Sequence, residues 1–293
     1  MKIRILSALV GIVVLVGALI CPWTWVFALA AAVLAALAVW ELCYNTGKVQ
    51  SKLLVIVNMV CAAVGVGLVY LHRLSADSYY GTTLRSYEQI VLSGICFVPL
   101  VLGVLTILCW LIVRKKVSFT DACYSYLMTL YPAVGFGSLA ALRIFDGAAI
   151  GLWYILLVLV IPWMSDTGAY FTGYFLGKHK MAPVLSQHKT VEGAIGGVIT
   201  AIVSMLIYAL IMALPVKALS FRVNYLYAVV YGFVGAIAGV FGDLCFSVIK
   251  RQTGIKDYGK LLPGHGGVLD RFDSMMMVGP LVEVLLLLIP VIS

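Results

Sequence analysis

Long apolar runs separated by short polar ones account for almost the whole chain. Nine of them cover roughly 5–20, 23–43, 53–71, 90–113, 119–141, 149–164, 193–214, 225–249 and 275–292. A helix needs about 20 mainly apolar residues to cross a bilayer. The pattern therefore predicts an all-α fold of about nine transmembrane helices, the first and sixth of them short. No alternation of apolar and polar residues at the strand period stands out, and there is no internal repeat. The connections are brief except at 72–89, 165–192 and 250–274. The chain divides into N-terminal spans (1–148) and a C-terminal region (149–293) that carries the last two of these polar segments.

Composition sharpens the membrane reading. The chain of 293 residues is 63% hydrophobic and 11% charged, with a mean hydropathy of +1.09. Soluble domains run near 45–50% apolar and about 25% charged. The net charge of +8 does not call for nucleic acid. Basic residues set the orientation of a membrane protein and can also serve anionic substrates. With the N-terminus in the cytoplasm, fifteen of the twenty Lys and Arg fall on the cytoplasmic side and five on the other. That bias predicts an N-terminus inside and a C-terminus outside, and it puts 165–192 and 250–274 on the same cytoplasmic face. Lys2 and Arg4 ahead of an apolar run resemble a signal peptide, but the second apolar run from Trp23 to Leu42 favours a retained first helix. The seven cysteines form no CxxC pair and read as small buried hydrophobes.

The polar residues concentrate where chemistry would be done. Six of the twelve acidic residues (Asp166, Glu192, Asp243, Asp257, Asp270 and Asp273) lie in or beside the two cytoplasmic segments. Carboxylates at a membrane boundary are costly unless paired or metal-bound. From Ser247 to Asp273 they stand among Lys250, Arg251, Lys256, Lys260 and Arg271, with His265 and the glycines Gly264, Gly266 and Gly267. Those glycines free the backbone to turn N–H groups toward an anion, and the cations can cradle phosphates. Asp270 and Asp273 are spaced to share a helical face, and carboxylates beside phosphates suit Mg²⁺. The combination suggests phosphoryl or nucleotidyl transfer. Asp243 reads as a metal ligand first and as a buried ion-pair partner second. Gly232, Gly235 and Gly239 form a stripe on its helix that reads as packing. Ser186, Lys189, Thr190 and Glu192 precede the seventh span, where a helix start favours a phosphate and where ordinary capping would use the same residues. Glu283 falls inside the last span, either functional or a helix–helix hydrogen bond.

These residues resemble the phosphatidate cytidylyltransferase (CDP-diacylglycerol synthase) family. Its C-terminal signature, S-x-x-K-R-x4-K-D-x-G-x2-L-P-G-H-G-G-x2-D-R-x-D, is matched throughout from Ser247 to Asp273. A second motif is matched by Asp166, Ala169, Tyr170, Gly173 and Gly177, then by Ser186, Lys189, Thr190, Glu192 and Gly193. Gln187 and His188 stand where Pro and Lys are usual. The resemblance is sharp over 165–275 and rests only on hydrophobic spans in the N-terminal half.

The resemblance implies transfer of a cytidylyl group from CTP to phosphatidic acid; the charge bias puts that site on the cytoplasmic face, and a bacterial cell (inner) membrane is the expected home. Mg²⁺, alone or with a second cation, would sit on Asp243 and Asp270, with Asp166 and Asp273 as further metal ligands. Lys250, Arg251, Lys256, Asp257, His265 and Arg271 form the expected catalytic set. Ser186, Lys189, Thr190, Glu192, Ser247, Gly264, Gly266 and Gly267 form the expected substrate-binding set. The partners are CTP, phosphatidic acid and membrane lipids, without nucleic acid, and the glycine stripe permits a homodimer. A phosphate monoester carries about −1.5 to −2 charge near neutral pH, so the reaction needs charge neutralisation more than a strong base. A transporter is the rival class, but transporters gather charge at the bilayer midplane and often show repeats.

Overall fold

The computed structural model describes residues 2–79, 101–113, 117–183, 186–214, 222–261, 264 and 266–291. The described residues are almost entirely helical, in the order α1 (Lys2–Ile20), α2 (Thr24–Trp40), α3 (Lys52–Tyr79), α4 (Val101–Val113), α5 (Phe119–Leu142), α6 (Ala148–Leu176), α7 (Val191–Ala213), α8 (Tyr225–Gln252), the single turn α9 (Leu269–Phe272) and α10 (Met275–Leu288). Among the described residues, six helices are long and apolar enough to cross a membrane, so the all-α membrane class holds. The fourth expected span, 90–113, is described only from Val101, because its first part lies outside the described residues.

The structure corrects three expectations. The third span does not end near residue 71 but continues as α3 to Tyr79, into the segment expected as a connection. The sixth span does not end near residue 164. As α6 it continues through Asp166 to Leu176, so half of the segment expected as a loop is helix. Asp166 ended the apolar run without ending the helix. Thr167 folds its hydroxyl back onto the Trp163 carbonyl at 2.7 Å, and the glycines beyond it serve helix contact. The rest of that segment holds the only strands among the described residues, a short antiparallel hairpin of β1 (Lys180–Ala182) and β2 (Ser186–Thr190). Lys180 pairs with Thr190 and Ala182 with Ser186. A hairpin of three and five residues is too short to leave a period-two signal.

The chain forms two compact units, Met1–Tyr154 with Gln252–Phe272, and Ile155–Arg251 with Asp273–Ser293. In the first, α2, α3 and α5 pack on one another. Ala28, Ala31, Ala35 and Ala38 recur every three or four residues along α2 and are buried. Their small side chains let the helices approach closely in a setting where lipid gives helix association no hydrophobic drive. The α2 helix ends in a π-helical turn, Glu41–Asn45. The buried Arg143 donates to the carbonyls of Leu19 (3.0 Å), Cys21 (3.3 Å) and Ala148 (2.6 Å), which satisfies the end of α1.

In the second unit, α6, α7 and α8 cross at glycines. A Cβ at Gly193 would lie 2.8 Å from the Ala169 carbonyl oxygen, and one at Gly197 would lie 2.7 Å from that of Ser165. On α8, a Cβ at Gly232 would meet the Ile202 backbone at 2.8 Å, and one at Gly235 the Ile161 side chain at 2.9 Å. The glycine stripe is therefore packing, as its spacing suggested. The three helices come close enough to bring their polar ends together.

Candidate active site

The second unit assembles a charged cluster from four places in the chain. Asp166 comes from the exposed side of α6, and Lys189 from the end of β2. Asp243 and Ser247 lie one turn apart on α8, and Asp273 lies in the turn before α10. Lys189 Nζ pairs with Asp243 Oδ2. Ser247 Oγ donates to Asp243 Oδ1 at 3.3 Å. The charges of Asp243 and Lys189 both bear on Asp166. Asp273 Oδ1 accepts from the Ser274 N–H at 2.7 Å. Burial, then the negative charge of Asp243, push the Asp273 carboxyl up to about 6, with Asp166 adding to the rise and Lys250 and the Ser274 N–H opposing it. Three carboxylates thus feel one another, with Lys189 and Lys250 as the nearby cations.

Among the described residues, no three Asp, Glu, His or Cys side chains stand close enough to surround an ion as they are. The donor set nevertheless fits a hard divalent cation by its chemistry. It offers carboxylate oxygens and a hydroxyl, which suit Mg²⁺ or Ca²⁺. The raised proton affinity of Asp273 comes first from burial and then from the charge of Asp243, and a bound cation would offset the second of these.

The α7 start is capped. Thr190 Oγ1 accepts the Gly193 N–H at 3.1 Å. Glu192 is turned to the hairpin, accepting the N–H groups of Lys178 (3.1 Å) and His179 (3.2 Å) and meeting His179 Nδ1 at 2.6 Å. Thr190 and Glu192 hold the hairpin on the helix start, and Lys189 on the same strand reaches Asp243. Ser186 lies at the other end of β2.

The first unit contains the loop that follows α8, with the rest of the signature. Lys256, Asp257, Lys260, Gly264 and Arg271 are exposed. Gly264 and Gly266 have positive φ, 79° and 86°, a conformation glycine adopts freely. His265 lies outside the described residues. Asp270 Oδ2 accepts the Tyr258 N–H at 2.9 Å and the Gly267 N–H at 3.0 Å, so this carboxylate closes the loop on itself. Lys250 and Arg251 end α8, where cations suit the helix C-terminus. Glu283 is buried within α10.

Two participants were missed in the sequence. Glu41 Oε1 and Oε2 each accept a loop N–H, from Val268 and Leu269, both at 2.9 Å. Asn45 Nδ2 donates to the Tyr258 carbonyl at 2.8 Å. Both belong to the π-turn of α2, more than two hundred residues before the loop. One sequence signal was available, a carboxylate inside an otherwise apolar run.

The fold and cluster define a class, an all-α integral membrane protein with a carboxylate–lysine site at its helix ends. Within that class, the chain belongs to the cytidylyltransferase family, whose model matches residues 2–289. It is 34% identical to the phosphatidate cytidylyltransferase of Staphylococcus haemolyticus, over 98% of this chain and 99% of that one. The Staphylococcus aureus protein of the same name matches at 34% with the same coverage. That of Staphylococcus epidermidis matches at 38% over 59% of this chain and 62% of its own length. The likeness drawn from residues 165–275 extends through the N-terminal half.

Proposed function

We propose that the chain transfers the cytidylyl group of CTP to phosphatidic acid, giving CDP-diacylglycerol and pyrophosphate for phospholipid synthesis. The observation that carries this reading is the full-length likeness to relatives named phosphatidate cytidylyltransferase, in a chain where Ser247 of the signature and Lys189 of the second motif meet on Asp243 in one charged cluster.

A phosphate oxygen of phosphatidic acid attacks the α-phosphorus of CTP. A new P–O bond forms there as the bond to the β-phosphate oxygen breaks, and pyrophosphate leaves with the electron pair. The attacking group is already anionic, so the barrier lies in bringing two polyanions together. Asp166, Asp243 and Asp273 would hold Mg²⁺, which when bound supplies positive charge to the triphosphate and the leaving group. Lys189, released from Asp243 to a phosphate, and Lys250 add charge that counts most as pyrophosphate develops. Ser247 keeps Asp243 oriented. Lys256, Arg251 and Arg271 supply cations to the phosphates, and Gly264 and Gly266 supply backbone N–H groups, that of Gly267 being held by Asp270. Asp270 stands as a loop organiser and as a candidate ligand.

The reading includes nine spans, the N-terminus in the cytoplasm and the polar segments on the cytoplasmic face of the cell membrane. The fifteen-to-five distribution of basic residues supports that orientation. The lipid acyl chains then stay in the bilayer while the headgroup reaches the charged residues.

The test is incorporation of radiolabelled CTP into lipid by purified protein with phosphatidic acid and Mg²⁺, with and without EDTA. Metal-dependent label in a chloroform-soluble product, with pyrophosphate released, is the expected result. Label appearing only with a different lipid acceptor moves the substrate, and no CTP turnover by folded protein overturns the reading.

A further inference from the structure

The polar residues of the N-terminal half are few, and one of them is built into the signature loop. Glu41 is 3% exposed, in a helix that is otherwise apolar. A carboxylate at that depth is costly without partners. Its partners are the backbone N–H groups of Val268 and Leu269, which directly follow Gly266 and Gly267. Four residues on, Asn45 holds the Tyr258 carbonyl. The π-turn that carries both residues is itself braced, since Tyr124 donates to the Leu42 carbonyl at 3.1 Å. The turn closes the C-terminal end of α2 and aims two side chains at one loop.

The loop's composition fits the same anchor. A Cβ on Gly259 would stand 2.6 Å from Glu41 Oε1, and one on Gly267 would stand 2.6 Å from Glu41 Oε2. Neither glycine has positive φ, so the backbone conformation does not demand glycine at either place. The Glu41 carboxylate occupies the space that their side chains would need. Two fixed glycines of the signature are thus explained by a residue outside it.

We infer that Glu41 is a positioning residue for the transfer reaction, fixing the backbone at Val268 and Leu269, with Asn45 holding Tyr258, so that the flanking Lys256, Asp270 and Arg271 are presented in one arrangement. The inference rests on the proposed cytidylyl transfer for its kinetic consequence, but not for its structural one. Glutamine keeps the shape of glutamate but offers one acceptor where two are used, and its amide N–H₂ would face a backbone N–H.

Full-length protein in detergent, wild type and Glu41→Gln, is compared in three measurements: steady-state transfer, thermal unfolding, and trypsin cleavage after Lys256 and Lys260 without substrate. The expected result is a fall in kcat of at least tenfold with the KM for phosphatidic acid within about twofold. Loop cleavage is expected to be at least threefold faster, with an unchanged unfolding temperature. Gly259→Ala, which pushes on the same carboxylate from the loop side, is expected to reproduce the pattern, and is the variant to use if Glu41→Gln fails to fold. Wild-type kcat and loop cleavage in both variants overturn the inference. Uniformly faster cleavage at all sites with a lowered unfolding temperature also overturns it, by making Glu41 a general stabiliser. Should the wild type transfer no cytidylyl group, the transfer reading fails and the selective loop cleavage alone decides the anchor.

Discussion

Asp273 is a carboxyl whose protonation reports on its neighbours. Its value of about 6, against an ordinary 3.8, comes from burial and from Asp243. An acid with a raised folded-state value binds its proton more tightly folded than unfolded. Its contribution to stability is complete below about pH 4 and is lost as pH rises through about 6. At pH 7 and above, in the absence of metal, Asp273→Asn should therefore stabilise the protein by about 1–2 kcal/mol, read as a higher unfolding temperature. A bound cation must displace the same proton. Affinity for Mn²⁺, measured by titration without nucleotide, should rise up to about tenfold per pH unit below pH 6 and level off above it. Asp273→Asn should flatten that dependence. An affinity that does not change between pH 5 and 7 would remove Asp273 from the cation site.

Lys189 has a different role at the same scale. Its ammonium pairs directly with the Asp243 carboxylate. Lys189→Ala should lower kcat/KM for CTP by about 10²–10³, because it removes both a counter-charge to Asp243 and a phosphate contact. Lys189→Arg should restore only part of this, since the planar guanidinium does not reproduce a compact ammonium. Activity of Lys189→Ala within threefold of wild type would leave the ion pair a purely structural feature.

At the scale of elements, the glycines divide into those that permit contact and those that do not. Gly232 faces the Ile202 backbone, which cannot give way, whereas a Cβ at Gly67 on α3 meets nothing within 4 Å. Gly232→Ala should destabilise by about 1–3 kcal/mol through overpacking. Gly67→Ala should be neutral or stabilising by about 0.5–1 kcal/mol, as expected for replacing an uncrowded helical glycine. Thermal unfolding in detergent reads both, and equal effects at the two positions would sink the packing account.

The helices were legible in the sequence because the bilayer demands long apolar runs, and α2, α5, α7 and α8 lie within a few residues of their expected bounds. The continuation of α6 was not legible, because Asp166 ends a hydropathy window but costs a helix little when its side chain is exposed. The hairpin was too short to show a period. For the site, Asp243, Ser247 and Lys189 were named from the sequence and are joined by direct contacts. Glu41 was not named, because an ion or hydrogen-bond partner two hundred residues away leaves no local pattern. Asp270 was read for its carboxylate chemistry, but its hydrogen bonds to Tyr258 and Gly267 depend on a loop path that spacing does not encode.

For the whole molecule, the decisive property is which face of the membrane each polar segment meets. Charge asymmetry argues for one answer. Basic residues flanking short loops set orientation, and here they favour an inside N-terminus threefold. The prediction is specific at described, exposed positions: Lys180 on the hairpin and Lys256 on the signature loop should share a side, opposite to Arg222 before α8. In a cysteine-free background, Lys180→Cys and Lys256→Cys should be labelled by a membrane-impermeant maleimide only after the cells are opened, and Arg222→Cys in intact cells. Removing the native cysteines should be tolerated, because no pair among the described residues forms a disulfide. Labelling of Lys180→Cys and Lys256→Cys from opposite sides would require an odd number of crossings between α7 and the loop, contradicting the two helices α7 and α8 that separate them. Labelling of both in intact cells would keep the helices but invert the protein, putting its charged cluster on the face where CTP is not made.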